Sequence, residues 1–166
     1  MSEQVLTQTG TTMHRDDEFS DYMAARQPAM LRLAYLLTGE TATAEDLVQV
    51  AFAKLYRSWH RVRSREALDS YLRRIVLNEH HSMWRRPWRR REQMTETLPE
   101  TPVHDTYDEG LADSLWQLVQ QLPPRQRSVI VLRYYEQLSE AEIARTLGIS
   151  PGTVKSQARK ALATLR

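Results

Sequence analysis

The chain has 166 residues, 41% of them hydrophobic and 27% charged, with no cysteine, a formal net charge of +2 and a pI near 9.0. That composition suits one ordinary globular domain or two small ones and is too apolar for a disordered chain. The missing cysteines exclude disulfides, thiolate zinc sites and a cysteine nucleophile together, and fit a reducing cytoplasm.

The first residues, "MSEQVLTQTGTTMHRDDEF", lack the basic start and apolar core of a signal peptide, and no run approaches the ~18 apolar residues of a membrane span. No membrane insertion is expected. The charge is unevenly spread. Residues 57–91 carry 11 basic and 3 acidic groups, and residues 114–166 carry 8 and 3. Residues 16–56 carry 3 basic and 7 acidic groups, and residues 92–113 carry 7 acids and no base. Two basic blocks separated by an acidic strip suit a polyanionic partner, of which the phosphate backbone is the commonest.

In chain order, residues 1–15 are polar, Thr-rich and without period, so a mobile tail is expected. Apolar residues then recur at helical spacing from Phe19 to Leu37, with Pro28 kinking that helix or starting a new one. Gly39 ends it, and Thr43 with Asp46 three residues on is read as an N-cap. A helix over 44–59 buries Leu47, Val48, Ala51, Phe52, Leu55 and Tyr56. After a short basic loop, "HRVRSRE", a further helix turns Leu68, Tyr71, Leu72, Ile75 and Val76 inward and ends before Pro87. Residues 92–110, with Pro99, Pro102 and their acids, read as a flexible linker. A second domain over 111–166 opens with Leu115, Trp116, Leu118, Val119 and Leu122 inward, and Pro124 starts the next helix. The fold class is all-α: two small helical domains, 16–91 and 111–166, joined by an acidic linker.

Residues 139–165 form one unit. Ser139 and Glu142 make a capping box, Ile143 and Leu147 face inward, and Ala144 is small where a second helix must cross. Gly148 takes the turn with a positive φ, Ser150 caps the next helix, Pro151 fits its first turn and Val154 returns to the core. A small residue, Gly four on and a β-branched residue six further on make the helix-turn-helix pattern. Its second helix presents Thr153, Lys155, Ser156, Gln157, Arg159 and Lys160, of which Gln157 and Arg159 suit base edges and Lys155, Ser156 and Lys160 suit phosphates. Arg125 and Arg127 are expected to add backbone contacts. No catalytic, metal or cofactor site is expected: His80 and His81 are adjacent rather than i, i+4, and no Gly-rich phosphate loop or GxSxG occurs.

The stretch "LPPRQRSVIVLRYYEQLSEAEIARTLGISPGTVKSQARKAL" resembles the −35-reading domain of bacterial RNA polymerase sigma factors. "AEDLVQVAFAKLYRSW" and "SYLRRIVLNEHHSMWRR" resemble their core-binding and −10-reading domain. With no room for other sigma domains, the chain resembles the extracytoplasmic-function (ECF) group. The resemblance implies promoter-specific initiation in the cytoplasm. It places Asp46, Gln49, Phe52 and Lys54 on the polymerase clamp helices of the largest subunit, and the second domain on the flap. It places Arg61, Arg63, Ser64, Arg65 and Ser70 in a loop that captures a flipped −10 base, with Tyr71, Arg74, Asn78, Trp84 and Arg85 on the helix behind. Exposed arginines and aromatics suit melted single-stranded DNA. The acidic linker resembles the segment threading the RNA exit path, and the resemblance implies an anti-sigma partner, expected to cover the face around Asp46 and the inner face of the second domain. Two positions depart from the family pattern: Val50 stands where an acid is usual and Gln157 where Arg is common. The competing reading is a free-standing helix-turn-helix repressor or activator, which has no use for the Asp46 helix.

Overall fold

The computed structural model describes residues 3–85 and 109–166, with side chains from 13 to 85 and from 114 to 166. The acidic stretch that fills most of the expected linker, the Trp88 arginine run and Pro87 lie outside the described residues. The described residues form seven α-helices and no strand: α1 (Glu3–Thr38), α2 (Thr41–Ser58), α3 (Arg65–Trp84), α4 (Glu109–Gln121), α5 (Pro124–Ile130), α6 (Glu140–Leu147) and α7 (Pro151–Leu165). A 3₁₀ turn, Trp59–Arg61, follows α2, and a π-helical turn, Val131–Tyr135, continues α5.

The N-terminal unit is α1, α2 and α3. Leu33, Leu37, Leu47, Leu55, Leu72 and Leu77 are fully buried among them. An aromatic cluster closes one end: Phe19 packs edge-on to Phe52, Tyr56 and Trp59 at centroid distances of 6.4, 4.9 and 5.3 Å. Beside it the Tyr22 hydroxyl donates to Asp69 Oδ1 at 2.7 Å, and Arg26 pairs with the other carboxylate oxygen at 2.6 Å, tying α1 to α3. Several expectations change here. α1 is helical from Glu3, so the stretch expected as an irregular tail forms its first turns. Pro28 does not divide α1; it and Ala24, whose carbonyl loses its helical donor, are both exposed, so water can satisfy that group. Gly39 does end α1, with φ +75°. Thr43 does not cap α2: Glu40 holds that position, and Thr43 instead donates its hydroxyl to Glu40 Oε2. Tyr56 is not buried; it lies exposed and donates to Asp16.

The C-terminal unit is α4 to α7. Its buried side chains are smaller: Leu132 and Ile143 with Val129, Ala144, Val154 and Ala158, plus a satellite of Leu122, Ile130 and Ala161. Leu115 and Leu118, expected inward, are exposed, because α4 leans on α1 only through its Trp116 side: Trp116 stacks flat on Tyr35 at 5.1 Å and 9°. The two units share one continuous hydrophobic core, in which Val129, Leu132, Ile143 and Val154 join the helices of the N-terminal unit.

Polar contacts stitch the same seam. Gln120 Nε2 donates to Leu36 O at 3.0 Å and Arg127 Nη1 to Leu37 O at 2.7 Å. Both nitrogen atoms of one edge of Arg73 reach Glu136 Oε2 at 3.0 Å, Arg32 reaches the Tyr135 hydroxyl at 3.2 Å, and His81 Nε2 pairs with Ser128 Oγ at 3.0 Å.

Candidate nucleic-acid interface

The helix-turn-helix is built by local chemistry. Ser139 Oγ accepts from the Glu142 amide at 3.2 Å, and the Glu142 carboxylate accepts from the Ser139 amide at 2.7 Å. Those bonds hold the Glu142 carboxyl below its ordinary range. Gly148 sits at φ +65° and lets the chain leave α6, and Ser150 Oγ accepts from the Thr153 amide to start α7. Val154, Ala158 and Ala161, spaced four and three apart, bury one stripe of α7. The small side chains at Ala144 and Ala158 let the two helices approach closely.

The opposite stripe is the expected one. Lys155, Arg159 and Lys160 are exposed, and Thr153, Ser156 and Gln157 lie at its edges, half-buried. Lys155 lies 3.7 Å from Glu140 Oε1, a solvent-screened pair that leaves the ammonium available. Arg125 is exposed, but Arg127 is not: it is 5% exposed, and its guanidinium donates to Leu37 O, Gln120 O and Leu122 O. A side chain so engaged cannot reach a phosphate in this arrangement, so Arg127 leaves the expected DNA set. Its register, three residues before buried Ile130 and four before Val131, was the signal that sequence reasoning overlooked.

A second basic face lies on α3. The expected loop is shorter than 61–70: Arg61 ends the 3₁₀ turn, and Ser64 already caps α3 by accepting from the Ala67 amide at 3.1 Å. Arg65 and Ser70 therefore sit on the helix rather than in a loop. Arg61, Arg63, Ser64, Arg65, Ser70, Tyr71, Arg74, Asn78 and Arg85 are all exposed, and Tyr71, Arg74, Asn78 and Arg85 follow one stripe at helical spacing. Tyr71, expected inward from its periodicity, stands at the rim, its hydroxyl 3.3 Å from Ser58 Oγ. Trp84 is half-buried and packs edge-on to His80 at 6.4 Å, so only part of its ring faces outward. The face is positively charged, carries an aromatic ring and is laid along a rigid helix, the combination that tracks a single strand.

The third face, on α2, is of opposite character. Asp46, Gln49, Val50 and Ala53 are exposed at i, i+3, i+4 and i+7, and Glu45 flanks them. Phe52 is 2% exposed and belongs to the core, so it supports this face from behind and cannot itself touch a partner. Lys54 is exposed and paired with Glu79 of α3.

Under the seam, His80 is 1% exposed, and its Nε2 has no hydrogen-bond partner. Burial, then His81 and Arg127, push its pKa down to about 3, so it is neutral. His81 is lowered as well, by burial and by Arg125 and Arg85. Among the described residues no group of three or more His, Asp or Glu could hold a metal ion, and no helix is long and apolar enough to cross a membrane.

Comparison with known proteins matches the two units separately. Residues 23–90 match the family model "Sigma-70 region 2" and residues 112–165 match "Sigma-70, region 4". The chain is 42% identical over 151 residues to the RNA polymerase sigma-E factor of Streptomyces coelicolor, covering 90% of this chain and 84% of that one. It is 30% identical over 141 residues to the ECF RNA polymerase sigma factor SigM of Mycobacterium tuberculosis, covering 81% of this chain and 68% of that one. The fold is similar to that of the sigma factor RpoE of Bartonella quintana, solved with the anti-sigma factor NepR, with a TM-score of 0.72 and 24% identity over 89% of this chain and 94% of that one. The chain therefore belongs to the sigma-70 family of RNA polymerase sigma factors, in its extracytoplasmic-function group.

Proposed function

We propose that the chain binds core RNA polymerase in the cytoplasm and directs it to promoters, with a separate face for each task. The α2 stripe around Asp46 and Gln49, with Lys54 beside it, docks on the clamp helices. The α3 face, from Arg61 to Arg85, holds the melted −10 strand, with Tyr71 as a stacking surface. The α7 face reads the −35 element through Gln157 and Arg159, and Thr153, Lys155, Ser156, Lys160 and Arg125 fix it on the backbone. The C-terminal unit also meets the flap. An anti-sigma partner covers the face around Asp46. The chain carries out no catalysis of its own and needs no cofactor.

One observation carries this reading: the exposed, acid-bearing α2 stripe stands apart from both basic faces. A free-standing repressor would need the α7 face and a dimer contact, but not an acid-bearing docking stripe on another helix. The test is transcription in vitro with core polymerase on genomic DNA. The expected result is discrete new start sites that disappear with Asp46→Lys, because a reversed charge in a docking face costs several kcal/mol, roughly a hundredfold or more in affinity. Lys155→Ala/Arg159→Ala should weaken the same start sites without moving them. Specific duplex binding by the protein alone, with no start sites, would instead establish the repressor reading.

A further inference from the structure

The basic loop between α2 and α3 is held at both ends by one residue of α1. The loop is short: only 62–64 lie outside the 3₁₀ turn and α3, with Arg61 and Arg65 on either side. Its arginines, Arg61, Arg63 and Arg65, repel one another and tend to spread it. Tyr22 opposes that from beneath. Its ring lies 5.3 Å from that of Trp59, which opens the 3₁₀ turn, and its hydroxyl donates to Asp69 Oδ1 at 2.7 Å, in the second turn of α3. Arg26, one turn further along α1, holds Asp69 Oδ2 at 2.6 Å. Between the two anchors Val62 is half-buried and packs against the core as a peg. Nearer the surface, Ser58 Oγ and the Tyr71 hydroxyl meet at 3.3 Å, a second tie across the same loop.

Core packing alone does not call for the Tyr22 hydroxyl. Tyr22 is 4% exposed, and Phe19, one turn earlier, makes the same 5.3 Å contact with Trp59 without one. A buried hydroxyl carries a desolvation cost that its hydrogen bond must offset. Here the acceptor is a carboxylate, the stronger kind of partner. Burial, and then the bond to Asp69, raise the Tyr22 pKa above its ordinary value, so the hydroxyl remains a donor. Tying Asp69 to α1 also draws its carboxylate off the exposed row of Ser70, Arg74 and Asn78, where it would repel phosphates.

We propose that Tyr22 and Asp69 are positioning residues for the −10 strand: by joining Trp59 to Asp69, Tyr22 presets the loop that carries Arg61, Arg63 and Arg65, so that the loop need not be ordered at the moment the strand binds. The proposal rests on the sigma-factor reading above. The test uses holoenzyme, core polymerase with the full chain, and as probe the labelled non-template strand of the −10 region at the strongest start site found by transcription in vitro. Tyr22→Phe, which keeps the ring, should bind that strand about fivefold more weakly, and Asp69→Ala about tenfold, the scale of one charge-assisted hydrogen bond. Asp69→Asn, which keeps an acceptor for the hydroxyl, should recover to within about twofold of wild type. Trypsin should nick free Tyr22→Phe after Arg61 and Arg63 about fivefold faster than wild type, because cleavage follows the population of the open loop. Affinity for core polymerase should stay within about twofold of wild type, since the α2 stripe is unaltered. All binding is measured below the melting temperature of each variant, checked by circular dichroism; should Asp69→Ala not fold, Tyr22→Phe decides. Residues that serve only core packing would lower the melting temperature and leave the strand affinity of the folded holoenzyme unchanged. That result overturns the proposal, as does an Asp69→Asn no better than a folded Asp69→Ala. Absence of initiation by wild type would instead overturn the sigma-factor reading, while trypsin would still test the hold on the loop.

Discussion

Between Phe19 and Met83 the chain buries leucines and aromatic rings; between Glu109 and Leu165 it buries mostly valine, isoleucine and alanine. The N-terminal unit is held by volume. The C-terminal unit is held by its ends, through the capping box at Ser139, the left-handed turn at Gly148 and the cap at Ser150. What it lacks in core it takes from its neighbour, since Val129, Leu132 and Ile143 complete their burial against the N-terminal helices. On the proposed function, a reading head that enters a groove profits from a small, cap-defined frame, and a unit that holds a melted strand profits from a massive base.

The contrast breaks most directly at Leu72, which is fully buried in α3. Leu72→Ala should cost about 2–5 kcal/mol, the range for a leucine removed from a packed core. Because the two cores are continuous, thermal unfolding followed by near-UV and far-UV circular dichroism should stay a single transition, with both units losing stability together. Two separate transitions, with the C-terminal one unmoved, would show that the C-terminal unit does not draw on the N-terminal core.

The same contrast explains what the sequence discloses. The α6–α7 unit was legible almost residue by residue, because Ser139, Glu142, Gly148, Ser150 and Pro151 act on partners at most five positions away. The basic faces were legible too, since exposure of Arg74, Asn78, Lys155 and Arg159 follows from helical period alone. The seam was not. Arg127 finds Leu37 across 90 positions, and His81 finds Ser128 across 47. Arg127 and His80 both turn out to be buried, but a charge on an apolar stripe does not announce which helix end it will close. Leu115 and Leu118 failed for the converse reason: their period is helical, but the neighbouring helix covers only the Trp116 side. Phe52 lies in the motif that carries the resemblance, and it was helical period, not motif membership, that marked it as a core residue supporting the touching face.

Acid should separate the seam from the rest of the molecule. His80 faces His81 on its own helix and Arg127 from α5, and its pKa is lowered from 6.5 to about 3. A depressed histidine stabilises the closed fold fully above its unfolded pKa and loses that contribution as pH falls from about 6.5 towards 3. At pH 5 the loss is about 2 kcal/mol, at 1.36 kcal/mol per unit. His81, lowered with Arg125 and Arg85 nearby, adds to it in the same direction. His80→Leu removes the titrating group, and because Nε2 has no partner to leave stranded, it should be tolerated at pH 7. Denaturant midpoints at pH 7 and pH 5 should therefore differ less in the variant than in wild type. Equal differences would mean that the acid sensitivity lies elsewhere.

The smallest effect tests the cap-defined frame itself. Gly148 holds φ +65°, and a Cβ built there meets nothing within 4 Å, so Gly148→Ala creates no clash. Its whole cost is the left-handed backbone of a side-chain-bearing residue, about 1–2 kcal/mol. Gly152, two positions inside α7, is the control: its added Cβ would lie 3.9 Å from Ser150 Oγ, ordinary contact, in helical backbone. Gly152→Ala should therefore stabilise by about 0.5–1 kcal/mol. At roughly 2–4 °C per kcal/mol for a chain of this size, the two variants should melt on opposite sides of wild type. Melting on the same side would mean that the turn at Gly148 tolerates a side chain, and that the frame depends on packing, as the N-terminal unit does, rather than on the conformation of its turn.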